Sequence, residues 1–325
     1  MLRFIFLNAS AFFLCFVQMV AVTHKYSIYR GIFFMLLAAL GFSVMGGAAK
    51  ALKGSFNAGQ LVFWRNSVGL LVLCVSFMHR KPVNTGSRPF RLLFRGLMGT
   101  TALYTLLYCI MHLPLGTAMS YNLTSALFIA LFSFVLFREY AGRTVLLAVL
   151  MGFTGMLLIY KPNIDLPWYY HVAGLISGIT SAIAYLTVGT LTQHYDTRVI
   201  VLSFVLTGVV TPLLFVLMKF IFQLPADNLF FIDWRWPVAN EWWIVLLLGS
   251  AALFGQYFVT KAYGADKAGV VSAISYANIP FSIFIGMLLG DAFPDAYSFA
   301  GILCIIGSGV LISLMKKKTA ATPSR

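Results

Sequence analysis

Residues 115–137, LGTAMSYNLTSALFIALFSFVLF, and residues 268–289, AGVVSAISYANIPFSIFIGMLL, decide how this chain is read. Each run has the length a helix needs to cross about 30 Å of hydrocarbon at roughly 1.5 Å per residue. Neither contains a charge, and both carry a Ser-Tyr-(x)-Asn element, Ser120-Tyr121-Asn122 in the first and Ser275-Tyr276-Ala277-Asn278 in the second. Apolar residues lie on all sides of both runs instead of alternating at period two, so they read as membrane helices and not as strands of a porin-type barrel. A carboxylate closes each run, Glu139 or Asp291, and a glycine-rich helix follows, through Gly152 and Gly155 or through Gly301, Gly307 and Gly309.

Working outward, the same scan finds ten apolar runs, at about 28–49, 59–78, 92–111, 115–137, 144–160, 172–192, 199–221, 242–260, 268–289 and 297–315. They divide into two halves, 28–160 and 170–315, each beginning with a helix of small residues (Gly31 to Gly47; Gly174 to Gly189). Five helices per half is an odd number, so the second half enters the membrane from the opposite side and the repeats are inverted. The expected fold is an all-α polytopic membrane protein, ten transmembrane helices in two inverted five-helix repeats. Residues 1–27 form an N-terminal apolar extension with three readings: signal-like segment, extra helix, or translated sequence ahead of a start at Met19. Residues 316–325 are a basic cytoplasmic tail.

Composition excludes the soluble alternatives. Of 325 residues, 60% are hydrophobic and 10% charged, with a mean hydropathy of +0.89, where a soluble domain carries about a quarter charged residues. The net charge of +14, from 23 Lys and Arg against 9 Asp and Glu, would suggest nucleic acid in a soluble protein. Here the charges fall between apolar runs, and nucleic acid is not an expected partner. Counting Arg95 with the loop charges, sixteen Lys and Arg fall on one side and five on the other. That bias predicts an inner-membrane protein with both termini of the ten-helix core cytoplasmic. Trp234, Trp236, Trp242 and Trp243 read as an interfacial aromatic belt. The four cysteines lie in apolar runs without a CxxC pair, and no metal or cofactor is expected. Signatures such as HExxH, GxSxG and GxxxxGK[ST] are missing, so neither an enzyme nor an ATP motor is expected.

The stretch RLLFRGLMGTTALYTLLYCIMHLPLGTAMSYNLTSALFIALFSFVLFREY from Arg91, and AGVVSAISYANIPFSIFIGMLLGDAFPDAYSFAGILCIIGSGVLI from Ala268, resemble the EamA family of the drug/metabolite transporter superfamily. The resemblance covers about 28–315 and implies ten helices in two EamA repeats. It departs at Ala126, where the family's fourth helix usually has proline, and at Asp291, where it has glutamate; Pro280 keeps the second proline. The resemblance allows amino acids, nucleoside-like compounds, riboflavin-like vitamins and drugs as substrates. GDAFPD, Gly290 to Asp295, is similar to S-adenosylmethionine uptake members.

Candidate site residues follow from polarity inside the spans. Arg65 lies about six positions into the second helix, roughly 9 Å deep, where an Arg costs at least about 2.5 kcal/mol. Two readings stand: it meets a substrate carboxylate or phosphate, or it snorkels and caps backbone carbonyls. Tyr104, Tyr108 and His112 share one helical face that suits a flat or cationic substrate. Tyr121, Asn122, Tyr276 and Asn278 are related by the repeat and are candidate substrate contacts, with Gln256 and Tyr257 weaker ones. Ser and Thr of the same runs read as interhelical hydrogen bonds. Glu139 and Asp291 read as gate or fold residues. With no carboxylate at the midplane, exchange is expected over proton coupling. Gly174 with Gly178 and Gly286 with Gly290 read as close-packing pairs. The expected function is alternating-access transport of a small amphipathic metabolite, S-adenosylmethionine first, exchanged for S-adenosylhomocysteine. Export of an amino acid, vitamin or drug is the alternative. Oligomeric state stays open.

Overall fold

The structure is a computed structural model that describes residues 30–82, 86, 88–113, 115–137, 143–160, 167–223, 234–290, 293 and 295–321. The extension read at 1–27, Glu139 and Asp291 lie outside the described residues. Twelve α-helices follow one another among those described: α1 Arg30–Ala51, α2 Ala58–His79, α3 Pro89–His112, α4 Leu115–Leu123, α5 Ser125–Phe137, α6 Arg143–Tyr160, α7 Trp168–Leu191, α8 Thr197–Phe222, α9 Glu241–Ala265, α10 Ala268–Ser275, α11 Asn278–Leu288 and α12 Ala296–Ala321. Among the described residues seven helices are long and apolar enough to cross a membrane, the α10–α11 pair counting as one. With α4–α5 and α10–α11 each taken as one span, ten spans stand where the ten apolar runs lie.

The two diagnostic runs differ from the expected continuous helices, because each breaks in its middle. In the fourth span the Thr124 N–H and Oγ1 both donate to the Tyr121 carbonyl, at 3.1 and 2.7 Å, replacing the regular i→i−4 bond. In the ninth span Ala277 and Ile279 donate three residues back, to Ile274 and Tyr276, at 3.0 Å each. Pro280 follows in the first turn of α11, where the missing N–H is tolerated.

Packing joins the halves through their spans. The first span (α1) packs on the eighth (α9), the third (α3) on the sixth (α7), α2 on α8 and α6 on α12. Exchanging every span with the one five places away converts the first of these contacts into the second and leaves the other two unchanged. The same exchange converts α3–α8 into α2–α9, and α4–α11 into α10–α5. Helix approach depends on small residues, since the core has no water to drive association. At Gly155 a Cβ would stand 2.6 Å from the Gly301 carbonyl across the α6–α12 contact. Gly174 and Gly178 receive the Tyr121 ring and Thr124. Gly290 corrects the packing expectation: its φ of 94° ends α11 in the left-handed region, and nothing lies within 4 Å of its Cβ position.

Candidate functional site

Where the broken spans meet α1, α2, α3, α7, α8 and α9, the bundle surrounds a central cavity. Its empty volume is about 790 Å³ counting the space at its mouth. Arg65, Arg95, Asn122, Ser181, Tyr185, Gln256 and Asn278 supply its polar lining, and Met35, Phe42, Met45, Leu106, Met119 and Phe204 much of its apolar wall. Both halves of the chain therefore contribute.

Arg65 is only 3% exposed. Its Nη1 donates to Asn66 Oδ1 at 2.9 Å and its Nε to Met45 Sδ at 3.3 Å. Asn66 is itself oriented, because its Nδ2 donates to the Val62 carbonyl at 2.7 Å. Arg95 is 1% exposed, and its Nε and Nη1 have no hydrogen-bond partner among the described residues. The Phe204 ring lies against both guanidiniums, with centroid distances of 5.2 Å to Arg65 and 4.8 Å to Arg95. The two charges are therefore at most about 10 Å apart, where like charges repel by at least about 1.7 kcal/mol at an effective dielectric of about 20. Four acids are described, Asp196, Glu241, Asp266 and Asp295, and none lines the cavity. Asp196 pairs with Arg198 and Glu241 with Arg235, each at 3.1 Å.

Arg95 is the residue that sequence reasoning misplaced among the loop charges. The apolar run begins near 92, but the helix begins at Pro89, which carries Arg95 about 9 Å from its end at roughly 1.5 Å per residue. Proline favours the first helical position, so Pro89 was the available signal.

Asn122 and Asn278 make corresponding contacts in the two halves. Asn122 Nδ2 donates to Ser177 Oγ and Ser181 Oγ, both at 2.9 Å, on the first helix of the second half. Asn278 Nδ2 donates to the Ala39 carbonyl at 3.1 Å, and its own carbonyl accepts from Ser43 Oγ at 3.0 Å, on the first helix of the first half. Ser282 Oγ completes the second set by donating to Asn278 Oδ1 at 3.1 Å. Each asparagine thus ties the break in one half to the opening helix of the other.

The four candidate tyrosines do not line this cavity. The α3 lining is Arg95, Gly99, Ala102, Leu103 and Leu106. Tyr104 and Tyr108 stand two residues beyond Ala102 and Leu106, which is about 200° around a helix of roughly 3.6 residues per turn. Tyr104 packs edge-on against Phe215 with centroids 5.9 Å apart, and Tyr108 packs with His112 at 4.5 Å and Tyr170 at 5.7 Å. The Tyr121 hydroxyl is hydrogen-bonded to His171 Nδ1, and its ring lies on Gly174. Tyr276 is fully buried against Gly152. Gln256 does reach the cavity, and its Nε2 has no partner among the described residues.

Both ends of the bundle are tied across elements. At one end Trp64 gathers Trp234, Trp236 and Trp242 at centroid distances of 5.8, 5.4 and 5.3 Å, so these tryptophans form a cluster around α2 instead of a simple belt. Arg235 beside them donates to the Ser55 carbonyl and pairs with Glu241, both at 3.1 Å. At the other end Arg198 donates to the carbonyls of Ser76, Arg80 and Lys81. Lys261 lies over the rings of Phe34 and Tyr257, at 5.5 and 4.8 Å.

Residues 29–161 match the model of the family described as the EamA-like transporter family. The Pseudopaline exporter CntI of Pseudomonas aeruginosa (strain PAO1) is 30% identical over 288 residues, which cover 88% of this chain and 97% of the exporter. An "Uncharacterized transporter" of Helicobacter pylori (strain J99) is 28% identical over 289 residues, covering 87% of this chain and 94% of its own. A crystal structure matches with a TM-score of 0.69 at 19% identity, over 90% of this chain and 98% of that one, a likeness of fold.

Proposed function

The chain belongs to the EamA-like transporter family, and from that premise we propose that it is a secondary transporter carrying a small carboxylate-bearing metabolite across a bacterial inner membrane. The observation that carries this reading is the central cavity, lined from both halves at the broken spans and holding a buried Arg65. Inverted halves that meet at a midplane site are the architecture of alternating access. The halves 28–160 and 170–315 rock about that site, and both ends of the ten-helix core face the cytoplasm. Arg65 contacts the substrate carboxylate, while Asn122 and Asn278 hold the two breaks beside it. The described acids lie away from the cavity, which supports exchange of organic solutes over proton coupling.

S-adenosylmethionine, ranked first on sequence, offers one carboxylate to Arg65. Its ammonium and sulfonium would add two cations to a cavity that already contains two guanidiniums, and the tyrosine faces expected for its purine lie elsewhere. Export of an anionic metabolite is therefore the better reading; the relative from Pseudomonas aeruginosa is named an exporter.

Proteoliposomes containing the full chain test this. Labelled S-adenosylmethionine, amino acids, dicarboxylates and riboflavin are offered with and without the same solutes inside, for the native protein and Arg65→Ala. The expected result is saturable flux of a carboxylate-bearing solute, stimulated from the opposite side and lowered about tenfold or more by Arg65→Ala, about 1.4 kcal/mol of lost binding. Well-inserted protein that moves none of these solutes, or moves them without saturation, overturns the reading.

A further inference from the structure

The fully buried side-chain atoms of the cavity lining that lack a partner among the described residues are all donors. Asn122 Nδ2 and Asn278 Nδ2 are already engaged. Arg95 Nε, Arg95 Nη1 and Gln256 Nε2 are buried without a partner among the described residues, and all belong to side chains that line the same space. A guanidinium has no acceptor. Groups that only accept, above all ionised carboxylates, complement such a lining, and the planar fork of Arg engages them through paired hydrogen bonds.

Two charges set the valence. Arg65 and Arg95 share the Phe204 ring and stand at most about 10 Å apart, both buried. One monocarboxylate neutralises one of them. Met35, Phe42, Met45, Leu106 and Met119 wall the space around them, which matches a carbon skeleton and penalises a bare hydrated anion.

We propose that the site recognises an organic dianion, two carboxylates on a short carbon chain, with one carboxylate on Arg65 and the other on Arg95. The inference rests on the transport reading above and narrows its substrate class. Asn66 and Met45 hold the Arg65 fork in place, and Gln256 donates to the substrate beside it.

The test is binding to the purified full chain in detergent at neutral pH, read as the rise in Tm during titration with succinate, glutarate and adipate. Butyrate serves as the monoanion, inorganic phosphate as the compact anion and S-adenosylmethionine as the cationic solute. At least one dicarboxylate is expected to raise Tm saturably, with an apparent affinity about tenfold or more above that of butyrate. Arg95→Met is expected to bring the dicarboxylate down to the butyrate level while leaving the ligand-free Tm unchanged or higher, since it removes a buried charge whose Nε and Nη1 have no hydrogen-bond partner among the described residues. Arg95→Lys, which keeps the charge and loses the fork, is expected to fall between. A fall of several degrees in the ligand-free Tm of Arg95→Met assigns Arg95 to the fold and overturns the proposal. Equal affinities for butyrate and the dicarboxylates, or stabilisation by phosphate or S-adenosylmethionine alone, also overturn it. Labelled succinate flux separates the two conclusions: dicarboxylate binding without flux upholds this site and refutes transport, while flux of another solute without dicarboxylate binding does the reverse.

Discussion

Asn66 shows how much of a buried cation's geometry is set by its neighbour. Arg65 was legible in the sequence as a charge inside an apolar run, but its orientation comes from Asn66, whose amide is clamped between Val62 and Gly208. A Cβ at Gly208 would stand 2.3 Å from Asn66 Nδ2 and 2.6 Å from its Cγ. Gly208→Ala therefore displaces the acceptor of Arg65 Nη1. Overpacking of this kind costs about 1–3 kcal/mol, and substrate affinity is expected to fall with stability. Gly189→Ala is the matched control, because its Cβ meets only the Tyr263 carbonyl, at 3.6 Å. Removing this glycine, in the last turn of α7, is expected to leave stability unchanged or raise it by up to about 0.5 kcal/mol. Thermal unfolding and ligand titration of both variants check the pair; equal effects would remove Asn66 from the account.

At the scale of the element, the question is what breaks the fourth and ninth spans. Proline explains one at most, because the fourth span carries Ala126 and breaks nonetheless. Common to both is a polar side chain at the break with a partner on another helix: Asn122 on Ser177 and Ser181, Asn278 on Ala39. Pro280→Ala is expected to cost about 0.4–1 kcal/mol, mainly through greater freedom of the unfolded chain, and to leave flux intact. Asn278→Ala strips Ser282 of an acceptor and removes the amide's bond to the Ala39 carbonyl, leaving on α1 the backbone bond from Ser43. It is expected to cost about 1–3 kcal/mol and to reduce flux. Thermal unfolding with flux in proteoliposomes ranks the two, and a larger loss in Pro280→Ala would return the break to proline.

At the scale of the whole molecule, the symmetric packing of α1 on α9 and α3 on α7 surrounds one site with both halves. Its orientation rests on charge. With Arg95 moved into the membrane the Lys and Arg bias becomes fifteen to five, which still predicts both ends of the core inside. Single cysteines replacing the exposed Lys53 and Lys81, in a chain whose Cys15, Cys74, Cys109 and Cys304 are serine, give the check. A membrane-impermeant thiol reagent is expected to label position 53 in intact cells and position 81 only after permeabilisation. The opposite pattern inverts the protein and exchanges the roles of the tryptophan cluster and the Arg198 clasp.

The sequence by itself determined the membrane, the ten spans and the two-part order. These follow from run length and from shared local elements such as Ser-Tyr-(x)-Asn, and the bilayer makes composition decisive because every backbone group in it must be bonded internally. It also singled out Arg65, Asn122 and Asn278, polar groups whose burial in an apolar run carries its own signal. Only the tertiary structure decided which stripe of α3 faces the cavity, and so brought Arg95 in and left Tyr104 and Tyr108 out. A span apolar all round has no polar face to set its rotation, so that angle is chosen by close contacts such as Gly96 against Ser203 and Thr207, between residues more than a hundred positions apart.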